Sequence, residues 1–127
     1  MNTCAIRAVI FSRDLNFLGL LRTPLREIGV SVTSTGVPED FLKLLLSKLP
    51  DLIVFDADTA PENLVYEVDR FITGTVMRLI LVYTTAPSNL SKQMASDRVR
   101  LLGKPIQLKD YRNTIVELVE LIEQGLW

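Results

Sequence analysis

The chain has 127 residues, of which 48% are hydrophobic, and its 14 basic and 15 acidic side chains give a net charge of −1. This length suits one core, so we expect residues 1–127 to form a single domain, and no apolar run approaches the roughly 20 residues that cross a bilayer. The balanced charge provides no field for nucleic acid or an anionic membrane, and the first residues lack a signal-peptide pattern, so we expect a cytoplasmic protein with neither partner.

Strand and helix patterns alternate along the chain. Wholly apolar runs such as Leu52–Phe55 and Leu79–Tyr83 are typical of strands buried on both faces, while leucines at three- and four-residue steps indicate helices that face a core. The predicted elements are, in order, strand 5–11, helix 15–28, strand 30–35, helix 38–48, strand 52–55, a loop at 58–61, helix 62–73, strand 79–83, a short helix 88–96, strand 99–102 and helix 108–124. Such alternation predicts a parallel sheet with helices on both faces, because right-handed crossovers allow little else. Five strands in this length predict a doubly wound, flavodoxin-like α/β fold with strand order 2-1-3-4-5.

The second predicted helix carries more leucines than one core-facing side needs. Leu42 and Leu46 fall outside the core-facing side, which is formed by Phe41, Leu44, Leu45 and Leu49. This excess indicates either a wide contact with the core or a patch that binds a partner.

Polar side chains follow the strand ends that this fold brings to one edge. Asp56 follows the third strand, Thr84 and Thr85 the fourth, and Lys104 the fifth. The chain has no histidine and a single cysteine, Cys4, so its chemistry is left to carboxylates, hydroxyls and lysine. Taken alone, Asp56 could equally be the ordinary polar end of a strand. Together, a carboxylate, a hydroxyl and an ammonium group can receive a phosphoryl group: the carboxylate attacks phosphorus and the other two bind the phosphoryl oxygens.

At these residues the chain resembles the receiver domains of two-component response regulators, which include the single-domain chemotaxis proteins. PDLIVFDADTAP resembles the phosphoacceptor strand of that family, TTAP its switch hydroxyl followed by alanine, and Lys104-Pro105 its lysine followed by a cis-proline. The resemblance covers the whole chain. It implies a phosphoacceptor at Asp56, a magnesium ligand at Asp56 and at the backbone carbonyl of Asp58, a switch hydroxyl at Thr84 or else Thr85, a phosphate contact at Lys104 and a cis peptide bond at Pro105.

The chain departs from the receiver pattern after its first strand. Receivers normally carry two acidic residues there, which hold Mg²⁺, whereas this chain has Ser12 and Arg13. Arg13 could pair with Asp56 and take the place of the metal, Asp14 could move in as a ligand and leave Mg²⁺ binding weakened, or Arg13 could point into water. The aromatic residue that receivers have before the lysine is replaced by Leu101.

Three functions are open at this point. The first is a non-enzymatic receiver that accepts a phosphoryl group on Asp56 from a sensor histidine kinase or another phosphodonor, and then changes a protein-interaction or homodimer surface made by the predicted fourth helix, fifth strand and fifth helix. The second is a pseudo-receiver that binds partners without phosphorylation, with Arg13 in place of the metal, through that face or through helix 38–48 and Leu126-Trp127. The third is a flavin- or nucleotide-binding enzyme, which the absence of a phosphate-binding loop after the first strand disfavours.

Overall fold

A computed structural model of the chain describes residues 6–84 and 98–125. In this part, five parallel strands form one sheet in the order β2-β1-β3-β4-β5, which confirms the predicted fold. The strands are β1 (Arg7–Phe11), β2 (Ser31–Thr35), β3 (Leu52–Asp56), β4 (Arg78–Tyr83) and β5 (Val99–Gly103). The α-helices are α1 (Leu15–Glu27), α2 (Pro38–Lys48), α3 (Glu62–Thr73) and α4 (Leu108–Glu123). Cys4, Thr85, the helix predicted at 88–96 and Leu126-Trp127 lie outside the described residues.

Helices cover both faces of the sheet, and each face has its own apolar core. On the face of α1 and α4, the buried residues include Leu21, Leu25 and Tyr111, whose hydroxyl donates to the Leu21 carbonyl at 2.6 Å. On the face of α2 and α3, the rings of Phe11, Phe41 and Phe55 pack with centroids 5.3 to 5.6 Å apart. Burial on both faces explains why residues 52–55 of β3 and residues 79–82 of β4 are apolar without alternation.

The extra leucines of α2 divide between core and surface: Leu42 packs at the edge of the core, whereas Leu46 is 68% exposed. The expectation that Leu49 faces the core is wrong. Leu49 follows the last residue of α2 in the left-handed conformation and is 65% exposed. Leu101 on β5 is 46% exposed. Along the described ranges, no helix combines the length and apolar character that a bilayer crossing requires.

Strand register brings the candidate residues to one edge of the sheet. Phe11 pairs with Phe55, Asp56 with Val82 and Tyr83 with Gly103, so the ends of β1, β3, β4 and β5 are level. The segment 58–61 was expected to be a loop, but a short 3₁₀-helix forms at Ala57–Thr59. This turn forms because the Asp56 carboxylate accepts a hydrogen bond from the Asp58 amide, as an N-cap does.

Candidate functional site

Asp56 lies at the floor of the site and has no exposed surface. Its Oδ2 accepts hydrogen bonds from two hydroxyls, and its Oδ1 contacts the Lys104 ammonium group and the Asp58 amide. A buried carboxylate needs such partners, because an ionised group without them is costly to remove from water. Asp56 is therefore fully satisfied by protein donors alone.

One side of the site, which we name the hydroxyl side, consists of Ser12 and Thr59 around Asp56 Oδ2. The Ser12 hydroxyl donates to Oδ2 at 2.7 Å and the Thr59 hydroxyl at 3.2 Å. Each hydroxyl oxygen in turn accepts a backbone N–H from the turn after β1: Asp14 N–H reaches Ser12 at 3.1 Å and Arg13 N–H reaches Thr59 at 3.0 Å. The hydroxyls thus link the turn after β1 to the end of β3.

Close backbone packing holds Ser12 in this position. Its amide donates to the Thr35 carbonyl at the end of β2, at 3.2 Å. Gly36 follows directly, and a Cβ atom there would lie 2.9 Å from the Ser12 carbonyl oxygen. Only glycine allows this approach without a shift of the backbone.

The other side of the site, which we name the lysine side, consists of Asp58, Thr84 and Lys104. Lys104 Nζ lies 3.0 Å from Asp56 Oδ1 and 3.0 Å from Asp58 Oδ2, and 4.5 Å from the centre of the Phe17 ring. The Thr84 hydroxyl donates to Asp58 Oδ2 at 2.6 Å, and the Thr84 amide donates to Asp58 Oδ1 at 2.9 Å. One carboxylate therefore holds the ends of β4 and β5 against the turn after β3.

The pKa values of the lysine side reflect these contacts. Partial burial raises the pKa of Asp58, but the contacts with Thr84 and Lys104 lower it by a larger amount. The pKa of Asp58 therefore lies below its ordinary value of 3.8. Burial lowers the pKa of Lys104, and the two carboxylates overcome this effect and hold its pKa above 10.5. Both groups are charged at neutral pH and form a shared ion pair.

Arg13 does not contact Asp56, so the alternative in which its guanidinium takes the place of the metal is wrong, and the structure agrees with the alternative in which Arg13 points into water. Its side chain is exposed, and its link to the site is the backbone N–H that reaches Thr59. The cation on Asp56 is Lys104. The reason is geometric: the hydroxyls of Ser12 and Thr59 already fill Asp56 Oδ2 on the side that faces the turn after β1.

Asp14 acts as the cap of α1. Its Oδ1 accepts from the amides of Asn16 and Phe17 at 3.1 and 3.2 Å, which is N-cap geometry. The carboxylate proposed as a replacement magnesium ligand is thus engaged with the helix end, at the surface.

The donor set does not fit the magnesium ion that the receiver resemblance implies. Mg²⁺ takes an octahedron of oxygens, usually with one or two carboxylates. Here the oxygens of Asp56 are occupied by protein donors, and the neighbouring carboxylate of Asp58 is bridged to Asp56 by a lysine. Within 6–84 and 98–125, no three acidic or thiol groups converge as metal ligands.

The structure brings Asp56, Thr84 and Lys104 into one site, and the Lys104-Pro105 peptide bond is cis, as the resemblance implied. Sequence reasoning missed Thr59, and it assigned Asp58 a role only through its backbone carbonyl. The spacing Asp56-x-Asp58-Thr59 was a usable signal, because a turn after a strand end returns side chains two and three residues on toward that end.

Comparison with known proteins gives a structural likeness only. No protein-family model and no curated protein sequence matches the chain. A CheY-like response regulator receiver domain protein from Methanospirillum hungatei JF-1 superposes with a TM-score of 0.74 at 20% identity, covering 94% of this chain and 98% of that one. A response regulator receiver protein from Burkholderia phymatum gives 0.70 at 19% identity, covering 91% and 95%. The signal receiver domain of a DNA-binding response regulator from Colwellia psychrerythraea 34H gives 0.74 at 18%, covering 91% and 98%.

These identities are too low to carry activity from one chain to the other, and they establish architecture. Three observations indicate the same fold: the strand order, the cis peptide bond after Lys104 and the superposition. The chain has the fold of the receiver domains of response regulators.

Proposed function

We propose that this protein is a receiver-type signalling module that works by binding other proteins, and that its acidic site is held together by Lys104 without a divalent ion. The observation that carries the proposal is the position of Lys104 Nζ, 3.0 Å from both Asp56 and Asp58. A lysine that bridges the two carboxylates supplies the positive charge that a metal would otherwise supply. The site is then structurally complete in the absence of any added ion.

Signalling proteins are the class of partner that the fold supports, among them a sensor kinase. The described residues include exposed apolar side chains that such a partner can contact. Leu46 and Leu49 lie on α2 and its end, Leu101 lies on β5 and Val116 lies on α4. Exposed side chains of this size favour a protein partner over a small ligand.

A second candidate function is phosphoryl acceptance at Asp56, which the convergence of Asp56, Thr84 and Lys104 favours. An Asp56 oxygen would form a bond to phosphorus, the bond from phosphorus to the leaving oxygen would break, and the leaving group would depart with that electron pair. With acetyl phosphate the products are an acyl phosphate on Asp56 and acetate. Full burial of Asp56 disfavours this reaction, because a donor must first be displaced to expose a nucleophilic oxygen.

Intact-protein mass spectrometry separates the two functions. The protein is incubated with acetyl phosphate, with and without Mg²⁺, beside an Asp56→Asn control and a phosphorylatable receiver as positive control. We expect no adduct on this chain under either condition. A gain of one phosphoryl group that Asp56→Asn abolishes would instead establish the second function and reject the first.

A further inference from the structure

Asp58 makes the contacts that an oxyanion would make on the lysine side. Its two oxygens accept from the Thr84 amide at 2.9 Å and the Thr84 hydroxyl at 2.6 Å, and one of them lies 3.0 Å from Lys104 Nζ. An amide, a hydroxyl and an ammonium group that converge on paired oxygens form a typical binding arrangement for phosphate. In this chain the carboxylate of Asp58, in the turn after the neighbouring strand β3, occupies that arrangement.

This arrangement opens onto solvent. A cavity of ≈ 530 Å³ lies beside it, lined by Asp14, Phe17, Leu20, Thr84, Lys104, Pro105 and Ile106. The side chain of Asp58 is 27% exposed and that of Lys104 is 24% exposed, in contrast to the complete burial of Asp56. A small anion could therefore reach Thr84 and Lys104 without unfolding any strand, provided that Asp58 moved away.

We propose that the Asp58 carboxylate is an internal competitor for a tetrahedral phosphate group, and that it occupies the oxyanion seat formed by Thr84 and Lys104. Two carboxylates share one ammonium group in the present arrangement, so a further anion meets repulsion as well as occupied donors. Removal of the Asp58 charge frees three donors and leaves Lys104 paired with Asp56 alone. The seat then accepts phosphate.

This inference deepens the proposed function and rests on it, since it explains how a receiver-type site stays closed without a phosphoryl group. The contacts of Asp58 tie the end of β4 to the turn after β3. A partner protein that contacts Thr84 would therefore bind it in a single position. That position is determined by Asp58, a residue of the chain, rather than by a phosphoryl group from an external donor.

Titration with inorganic phosphate, followed by the ¹⁵N–¹H signal of the Thr84 amide, tests the seat directly. Chloride at matched ionic strength is the salt control. We expect Asp58→Asn and Asp58→Ala to show a saturable shift and to bind phosphate at least about tenfold more tightly than the wild type, equivalent to about 1.4 kcal/mol. Glu62→Gln, which removes an exposed carboxylate at the start of α3, should behave as the wild type does.

Equal phosphate binding by the wild type and Asp58→Ala, or no binding by Asp58→Ala, would overturn the inference. The wild type provides a measurement that needs no variant. Protonation of Asp58 at low pH should move the Thr84 amide signal together with the Asp58 carboxyl signal, in the presence of the neighbouring charges of Asp56, Lys104 and Asp14. A Thr84 signal that ignores that protonation would also overturn it.

Mass spectrometry with acetyl phosphate distinguishes free phosphate from a phosphoryl group on Asp56. A covalent adduct on the wild type would reject the proposed function. Competition between Asp58 and phosphate would still be decided by the phosphate titration. An adduct on Asp58→Asn that is absent from Asp58→Asn with Asp56→Asn would show that the freed seat also serves a covalent phosphoryl group. Binding without an adduct would assign the seat to free phosphate, and either result supports competition by Asp58.

Discussion

The hydroxyl side and the lysine side of the site hold the same carboxylate by different means. On the hydroxyl side, two neutral hydroxyls contact Asp56 Oδ2, and Ser12 is as fully buried as Asp56 itself. On the lysine side, the contacts are ionic, are shared with Asp58 and lie at the mouth of an open cavity. Ser12 and Asp56 are closed off from solvent and Thr59 is half-buried, whereas the lysine side adjoins the cavity lined by Thr84 and Lys104.

This difference assigns different roles to the two sides. Neutral donors around a buried charge fix its position, because each lost hydrogen bond leaves an unsatisfied group away from water. Ionic contacts near solvent can be replaced by contacts with another ion. We conclude that the hydroxyl side fixes Asp56 and that any regulation acts on the lysine side.

The largest expected effect comes from Lys104→Met. This change removes the cation from a carboxylate with no exposed surface, and breaking a buried pair in this way destabilises a protein by several kcal/mol. We expect a loss of about 3 kcal/mol in the free energy of unfolding, measured by urea denaturation, because Lys104 is partly exposed. Arg70→Met is the control, since its pair with Glu67 lies at the surface and its loss should change little.

A smaller loss is expected for Ser12→Ala. The hydroxyl donates to the buried Asp56 side chain at 2.7 Å, so we expect a destabilisation of about 2 kcal/mol by the same measurement. Thr59→Val removes the longer bond of 3.2 Å from a half-buried residue and should destabilise less. A Ser12→Ala loss greater than that of Lys104→Met would contradict the division of the site into a cation-dominated and a hydroxyl-dominated side.

The smallest effect is on the pH dependence of stability. The folded pKa of Asp58 lies below 3.8, so its contribution to stability is fully present above 3.8 and is lost as pH falls through the folded pKa. The folded pKa of Lys104 lies above 10.5, so its contribution is present below 10.5 and is lost as pH rises through the folded value. Asp58→Asn should therefore flatten the acid limb of the stability curve.

Urea midpoints measured across the acid range test this expectation. Glu62→Gln is the matched control, because it removes one exposed carboxylate away from the site and should leave the slope of the acid limb unchanged. An acid limb that is the same in Asp58→Asn and in the wild type would mean that the contacts of Asp58 add no measurable stability.

Sequence reasoning reached much of the fold and part of the site. The bounds of α2 and α3 agree with the predicted ones. Pro38 marks the first turn of α2, and Gly74 directly follows the last residue of α3. Strand ends differ by one or two residues. For the site, residues that leave a strand end are predictable because the strand fixes their position, as for Asp56 and Lys104.

The direction of Arg13 and the partners of Asp58 were not predictable in this way. Both side chains lie in turns, where the direction of a side chain depends on a few backbone torsions and on which donors lie nearby. The 3₁₀ turn after Asp56 was expected to be a loop, so the approach of Thr59 to Asp56 was missed as well.

The sequence by itself determined the parallel sheet, its strand order and the edge at which the candidate groups meet. Apolar runs and helical periodicity carry that information locally, and the handedness of crossovers leaves few ways to assemble them. Only the tertiary structure decided that Lys104, and not Arg13, contacts Asp56, and that Asp58 takes the donors of Thr84. These contacts depend on separations of about 3 Å between residues on different strand ends, a scale on which hydrogen bonds form or fail and which no local pattern records.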